Sequence, residues 1–169
     1  LNLDGIAITD HHTIRGGLNV LKWQKALVKK GGIYNKELEV IPGSEITTNL
    51  GDVLLYYQNE DIRSRDFFEV VDLARQQDCL ITIPHPFRLW QSFRNLKEAV
   101  RKVSAIETFN SRTLLFPNPL ARKFASRLNL AETGGSDAHW YFDLGKGYTI
   151  FDGTLRDSLK KKKTTTAGS

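Results

Sequence analysis

The sequence predicts an α/β fold in which parallel strands alternate with helices and close into a barrel. Three observations support this prediction. Short apolar runs alternate with longer helical patterns, the apolar runs are continuous, and no glycine-rich nucleotide-binding turn follows an early strand. Continuous apolar strands are typical of a parallel sheet that is covered on both faces or closed on itself. A doubly wound open sheet is the alternative, but the chain has neither a Gly-x-Gly-x-x-Gly motif nor a P-loop.

The individual elements follow from this alternation. Seven strand-like runs, rich in Ile, Val, Leu and Tyr, span residues 5–9, 38–42, 52–57, 79–84, 104–109, 130–134 and 147–151. Helices are predicted between them at residues 15–30, 65–78, 95–103 and 118–129, and a last helix is predicted to begin near Thr154. The apolar period of about 3.6 residues is clearest over 118–129.

Composition describes a globular chain without membrane association. Of the 169 residues, 40% are hydrophobic and 25% are charged, which excludes a disordered, collagen-like or disulfide-stapled chain. No apolar run approaches the roughly 20 residues that span a bilayer, and there is no signal-peptide pattern. The single cysteine, Cys79, lies in an apolar run, so we expect a buried, reduced thiol in a cytoplasmic protein.

The positive charge is concentrated at the end of the chain. The formal net charge is +5, of which residues 154–169 carry +4. The lysine run there, followed by a Thr-rich end, predicts a basic, disordered tail in preference to a nucleic-acid-binding face. We therefore expect a domain over residues 1–153, with the last helix and the tail over 154–169. Because the chain starts at Leu1 almost within the first strand, we also expect this domain to be incomplete at its amino terminus.

Histidines and acids both occur just past the apolar runs. All four histidines of the chain have this position: His11, His12, His85 and His139. Four acids occupy matching positions: Asp10, Glu45, Glu107 and Asp137. Because the carboxyl ends of parallel strands meet at one edge, these side chains are expected to share a cavity. Each residue alone is also compatible with a cap or turn role, and the shared location is what favours a common site.

The chemistry expected of that site is metal binding. Imidazoles and carboxylates together suit divalent zinc, manganese or iron, and a carboxylate can bridge two ions. The spacing Asp137-x-His139 places both side chains on one face of an extended segment. Nucleophilic catalysis is less well supported, because no serine lies in a Gly-x-Ser-x-Gly turn and the one cysteine reads as buried.

Five short motifs in order resemble a known family. They are TDHHT at 9–13, PGSEI at 42–46, PHPF at 84–87, IETFN at 106–110 and GSDAH at 135–139. This set resembles the PHP (polymerase and histidinol phosphatase) family of metal-dependent phosphoesterases, over about residues 3–151. The resemblance implies a distorted, TIM-like seven-stranded β/α barrel with a truncated N-terminal strand. It also implies two or three divalent ions (Mn, Zn or Fe, with Mg as a further candidate).

The resemblance also implies roles for individual residues. The implied metal ligands are His11, Glu45 as the bridging carboxylate, His85, Glu107, Asp137 and His139. Asp10 is expected to orient His11, and the phosphate is expected to contact Arg88, Asn110 and Arg112. The implied catalytic residues are His139, His12 and Asp137, with either histidine as proton donor to the leaving group. The chain departs from the family in lacking its first His-x-His motif and in having His12 where many members have Asp or Asn.

The implied reaction is hydrolysis of a phosphate ester by a metal-activated hydroxide. The expected substrate is a small phosphomonoester or a nucleotide or oligonucleotide end. Two alternatives remain open. One is a hydrolase of the amidohydrolase type, although no lysine lies at a suitable strand end; the other is a catalytically impaired, metal-stabilised accessory module of a larger protein.

Overall fold

A curled six-stranded mixed sheet forms the centre of the computed structural model, which describes residues 3–29, 38–89, 92–113 and 116–169. Its strands, in spatial order, are β1 (Gly5–His11), β2 (Glu39–Thr47), β3 (Asp52–Tyr56), β4 (Leu80–Ile83), β5 (Ala105–Asn110) and β6 (Glu132–Gly135). Strand β3 is antiparallel to both of its neighbours, and the other pairs are parallel. Strands β7 (Gly147–Phe151) and β8 (Thr164–Gly168) form a separate antiparallel pair that packs beside β6.

Five helices connect the strands in the described part of the chain. They are α1 (Arg15–Lys29), α2 (Phe67–Gln76), α3 (Leu96–Ala99), α4 (Pro117–Leu128) and α5 (Leu155–Lys160), with a 3₁₀ turn at Tyr141–Asp143. Helix α2 begins where the Asp66 carboxylate accepts hydrogen bonds from two backbone N–H groups of the first turn. Helix α5 begins in the same way, with Thr154 accepting from the N–H of Asp157 at 3.1 Å. Within the described residues, no helix is long and apolar enough to cross a membrane.

The sheet differs from the predicted closed barrel. All seven predicted strands are present, but the described residues form a six-stranded sheet and a two-stranded one instead of a seven-stranded barrel. The physical reason lies in the connection between β2 and β3, which consists of residues 48–51. A parallel crossover needs a dozen or more residues, so a four-residue turn forces β3 to return antiparallel. Strand β7 pairs with β8 rather than closing the sheet onto β1.

Strand β2 runs further than the sequence predicts. A Pro-Gly pair predicts an end at residue 42, whereas the strand continues to Thr47. Pro42 has no N–H to donate, but its oxygen accepts a hydrogen bond from the N–H of Gln58 at 3.1 Å. At Gly43 the partner strand lies so close that an added Cβ would be 2.0 Å from the backbone oxygen of Leu55. The extension places Glu45 inside a paired strand, opposite His11 and Leu54.

The end of the chain is ordered, which the sequence did not predict. Residues expected to form a disordered tail instead form β8, which pairs with β7 from Gly147↔Gly168 to Phe151↔Thr164. The lysine run lies on the exposed turn that joins α5 to β8. The β-branched threonines that follow the lysine run favour a strand, whereas the charge of the run favours a solvated tail. In the structure the preference of the threonines prevails. Strand β8 therefore pairs across the boundary predicted at residue 153.

The main core lies between the sheet and helices α2 and α3, and Cys79 lies within it at 8% exposure. Helix α2 contributes Phe67, Val70, Val71 and Ala74, all essentially fully buried. The cysteine is a free, buried thiol, as predicted. Burial raises the pKa of this thiol from its ordinary value near 9 to about 11; nearby Arg156 lowers it and Asp78 raises it further.

Replacement of Gly43 by alanine is expected to destabilise the protein by about 3 kcal/mol, because the new Cβ would overlap the backbone of β3 and the sheet cannot yield. Urea unfolding measures the change. Gly153→Ala is the matched control, since its Cβ meets open space and only its φ of +72° costs about 1 kcal/mol. Equal losses in the two variants would contradict the close approach of β2 and β3.

The Cys79 thiol is expected to react slowly with Ellman's reagent at pH 8 in the folded protein. Raising its pKa by two units lowers the thiolate fraction about a hundredfold, and burial hinders access further. The rate in guanidinium chloride provides the reference. Similar rates in the folded and unfolded protein would show that the thiol is exposed.

Candidate metal centre

Six strand ends meet at one edge of the sheet. Strands β1, β2, β4, β5 and β6 bring their carboxyl ends to it, and β3, being antiparallel, brings its amino end. A cavity of about 980 Å³ opens there and continues between β1 and β7. Eight of the predicted site residues line it: Asp10, His11, Glu45, His85, Glu107, Asn110, Asp137 and His139.

The carboxylate of Glu45 lies between two imidazoles. Its Oε1 is 3.3 Å from Nε2 of His85, and its Oε2 is 3.7 Å from Nδ1 of His11. The Glu45 side chain is 12% exposed and that of His85 only 4%, whereas His11 is 61% exposed. Each carboxylate oxygen thus faces a different histidine, which is the arrangement that a carboxylate bridging two metal positions requires.

Asp52 joins this group, and the sequence analysis missed it. Ligand atoms of Glu45, Asp52 and His85 all lie within 4.8 Å of one another. These three form the group of potential metal ligands found among the described residues. Two carboxylates and an imidazole make a mixed oxygen and nitrogen donor set that suits borderline divalent ions. Asp52 begins β3, so only the reversed direction of that strand brings it to the edge. The short segment between β2 and β3 was the signal that could have found it.

The surroundings of His85 fit a bound cation. Its Nδ1 is buried and has no hydrogen-bond partner among the described residues. Burial lowers the pKa of the His85 imidazole. The hydrogen bond to Glu45 and the charges of Glu107 and Glu45 raise this pKa by more than burial lowers it, so the net shift is upward. The carboxylates thus favour positive charge at this position, and a divalent ion would supply it. The residues present therefore fit a metal site.

Glu107 fixes the backbone at His85 through a hydrogen bond. Its Oε2 accepts hydrogen bonds from the backbone N–H of His85 at 2.8 Å and from Nδ2 of Asn110 at 3.0 Å. The side chain is 4% exposed, and burial raises its pKa to about 7, although the charge of His85 and these hydrogen bonds act in the opposite direction. In this structure Glu107 positions His85, and its role as a direct ligand stays a prediction.

A second group lies on the β6 side of the cavity. Asp137 Oδ2 accepts from Nη2 of Arg88 at 2.8 Å, and Asp137 Oδ1 is 3.6 Å from Nδ1 of His139. The His139 Nδ1–H also donates to the backbone oxygen of Asp137 at 3.0 Å. The rings of His139 and His11 are 6.3 Å apart, so the two groups border the same space. Asp137 and His139 therefore lie next to each other, and Arg88 binds the Asp137 carboxylate.

Asn110 lines the cavity, whereas Arg112 lies outside its lining. Asn110 is 1% exposed, and its Nδ2 donates to Glu107 and, at 3.4 Å, to Asp137. Its Oδ1 accepts from the backbone N–H of Arg112 at 3.0 Å, so the amide connects two carboxylates to a loop. The Arg112 side chain is exposed and outside the cavity lining. A direct phosphate contact from either residue stays a prediction.

His12 and Asp10 point away from the main group. The His12 ring contacts the Arg65 guanidinium and does not line the cavity. Burial, Arg65 and His11 lower its pKa, which favours the neutral form of the ring. The Asp10 carboxylate lies against Gly16, where an added Cβ would be 1.8 Å from Oδ2 of Asp10. In the described part of the chain, no hydrogen bond joins Asp10 to His11.

Three site residues have left-handed backbone conformations. The φ angles are 62° at His12, 28° at His85 and 49° at Asp137, all at strand ends. Such conformations are uncommon for residues other than glycine and cost of order 1–3 kcal/mol each. At His85 and Asp137 the chain turns sharply after a strand while the residue still lines the cavity, whereas His12 does not line it.

Comparison with solved structures defines the class of fold. A two-domain protein of Bacteroides vulgatus that contains a predicted PHP-like metal-dependent phosphoesterase matches with a TM-score of 0.71 and 20% identity, over 99% of this chain and 57% of that one. PsfC from Pseudomonas syringae PB-5123 matches with a TM-score of 0.73 and 20% identity, over 99% of this chain and 78% of that one. The described strands thus form a PHP-type sheet.

Sequence comparison adds a family match over part of the chain. The model of the PHP-associated family matches residues 116–169. Two uncharacterised proteins of Methanocaldococcus jannaschii, MJ0417 and MJ1587, are each 37% identical, over 120 and 86 residues, or 66% and 50% of this chain. These matches cover 51% and 45% of the relatives, so the chain spans about half the length of the curated relatives it matches. Residues 116–169 therefore resemble the PHP-associated family, in agreement with the resemblance that the motifs indicate.

Asp52→Asn is expected to weaken Mn²⁺ binding by about tenfold or more, since even partners outside a metal's ligand set affect affinity to that extent. Titration of the metal-stripped protein with Mn²⁺ in a calorimeter measures the affinity. Asp72→Asn is the matched control, because this aspartate is 72% exposed on α2 and also loses one charge. An equal effect of the two substitutions would remove Asp52 from the site.

Proposed function

We propose that this protein hydrolyses a phosphate ester with the help of divalent ions bound at the common edge of its sheet. The observation on which the proposal rests is the Glu45 carboxylate between His11 and His85, with a ligand atom of Asp52 within 4.8 Å of Glu45 and His85. The match of residues 116–169 to the PHP-associated family supports the proposal, and so does the likeness to a protein that contains a predicted PHP-like metal-dependent phosphoesterase.

The metal ligands follow from the donor geometry. His11, Glu45, Asp52 and His85 would hold one or two ions, and Asp137 would contribute to a further position, so that Nε2 of His139 can carry a proton. Two or three ions of Mn, Zn or Fe, or of Mg, are proposed for this mixed donor set. A divalent ion bound there supplies a Lewis acid for phosphate oxygens and lowers the pKa of the water that it binds.

The chain's own residues complete the chemistry. Arg88 is held at the edge of the cavity by Asp137, and its planar guanidinium is suited to binding phosphate oxygens, whose charge grows during transfer. The half-exposed His139 has its ring fixed by the Asp137 backbone and borders the cavity, so it is the better candidate to protonate the leaving alkoxide. His12 is the weaker candidate because it does not line the cavity, and because burial and Arg65 lower its pKa.

The amidohydrolase alternative lacks a supporting residue. Enzymes of that type commonly use a bridging modified lysine at a strand end, and among the described residues no lysine lines the cavity. The proposed substrate is therefore a phosphate ester, either a small phosphomonoester or a nucleotide or oligonucleotide end.

His85→Ala is expected to lower bound metal and phosphatase activity together. The protein is stripped with EDTA, reloaded with Mn²⁺ or Zn²⁺ and assayed with p-nitrophenyl phosphate and with a p-nitroanilide. Hydrolysis of the phosphate but not of the anilide is expected, with a loss of about a hundredfold or more in the variant. Asp72→Asn should keep both metal and activity, and circular dichroism verifies folding.

Other outcomes of this experiment are equally specific. Unchanged metal stoichiometry in His85→Ala would remove that histidine from the ligand set. Tight metal binding without hydrolysis of any phosphate ester would overturn the proposal and favour a metal-stabilised accessory module.

A further inference from the structure

The side-chain amide of Asn118, the second residue of α4, forms a pair of hydrogen bonds with the last residue of β5. Its Oδ1 accepts from the backbone N–H of Asn110 at 3.0 Å, and its Nδ2 donates to the backbone oxygen of Asn110 at 3.0 Å. The N–H of Ser111 binds β6, so by the alternation of a strand the backbone groups of Asn110 point the other way. Strand β4 has already ended there, at Ile83, and Asn118 takes the place of a paired strand.

The local sequence does not explain an asparagine at this position. Asn118 lies between Pro117 and Pro119 in the first turn of α4. Asparagine is a poor helix former, and a residue that precedes proline is disfavoured from the helical conformation. The two prolines stiffen the segment, because each fixes φ, and in the first turn neither removes a hydrogen bond that the helix makes. The segment thus presents the amide of Asn118 rigidly, and the contact with Asn110 is what this arrangement fixes.

The side chain of Asn110 connects the two sides of the metal centre. Its Nδ2 donates to Oε2 of Glu107 at 3.0 Å and to Oδ2 of Asp137 at 3.4 Å. Glu107 in turn accepts from the backbone N–H of His85, whereas Asp137 binds Arg88. The separation of the His85 side and the Asp137 side of the centre therefore depends on where Asn110 holds its amide.

This link tolerates little movement. The contact of Asn110 with Asp137 is already long at 3.4 Å, so a shift of a few tenths of an ångström would break it. Oδ1 of Asn110 accepts from the backbone N–H of Arg112 at 3.0 Å, which orients the amide only as long as the backbone at Asn110 stays in place. Asn118 binds both polar groups of that backbone, and Asn110 is 1% exposed, so water is a poor substitute for these bonds.

We propose that Asn118 is a positioning residue of the metal centre. Its amide fixes the backbone of Asn110, and through Asn110 it fixes the separation of Glu107 and Asp137. Asn118 itself does not line the cavity, so it acts on bound metal only through its neighbour. The inference rests on the proposed function, because it takes both sides of the centre as parts of one metal-binding site. It adds a residue that none of the five sequence motifs contains.

Asn118→Ala removes both hydrogen bonds and is expected to weaken Mn²⁺ binding about tenfold, the lower end of what the loss of a partner outside the ligand set costs. Calorimetric titration of the metal-stripped protein measures the affinity. Gln77→Ala is the matched control, because Oε1 of Gln77 also binds two backbone groups, the N–H of Asn59 and that of Glu60, at 2.9 Å each. Gln77 lies just before β4, at the opposite edge of the sheet, so this variant should lose stability but keep its affinity for Mn²⁺.

Amide hydrogen exchange in EDTA provides a readout without metal. The N–H of Asn110 should exchange about tenfold faster in Asn118→Ala than in the wild type or in Gln77→Ala, because it loses its acceptor. Asn118→Ser is a second variant, which keeps a residue favoured at helix starts but is too short to reach both backbone groups. It should weaken Mn²⁺ binding in the same way.

Two outcomes would overturn the inference. One is an affinity for Mn²⁺ in both Asn118 variants equal to that of the wild type, with circular dichroism verifying their fold. The other is an equal loss of affinity in Asn118→Ala and Gln77→Ala, which would reflect stability alone. Weaker Mn²⁺ binding in the Asn118 variants, together with a wild type that hydrolyses no phosphate ester, would contradict only the proposed function.

Discussion

The candidate site depends on one carboxylate, Glu45, and on the strand that carries it. Strand β2 continues through Pro42 and Gly43, and this continuation places Glu45 opposite His11 and within 3.3 Å of His85. If β2 ended at the proline, Glu45 would lie on a loop and neither imidazole would have a fixed partner. The close approach of β3 at Gly43 is therefore as much a condition of the site as the ligands themselves.

The electrostatics of the site follow from that placement. Burial raises the pKa of Glu107 to about 7, and burial lowers the pKa of His85 while Glu45 and Glu107 raise it, with a net upward shift. Burying like charges together is unfavourable unless cations compensate. The hydrogen bonds from Asn110 and the His85 backbone compensate part of this charge, and a divalent ion is suited to compensate the rest.

The sequence predicted most of the fold and about half of the site, for identifiable reasons. Apolar runs and their polar ends identify strands, and so they located His11, Glu45, His85, Asp137 and His139 correctly at one edge. Apolar runs do not indicate the direction of a strand, which is why Asp52 at the start of the antiparallel β3 was missed. Partners distant in sequence are equally hidden, so the positioning role of Asn110 and the pairing of β8 emerge only from the tertiary structure.

The division of the cavity edge into a charged and an apolar part bears on specificity. Metal ions and Arg88 can recognise only what all phosphate esters share, because charge does not distinguish one alcohol from another. Discrimination between esters must then come from contacts with the alcohol, and apolar contact surfaces of fixed shape provide it. Leu144, Tyr148 and Ile150 provide apolar surface in the cavity lining. The charged residues of the strand ends and these apolar residues thus allow general chemistry at the phosphate together with selection among alcohols.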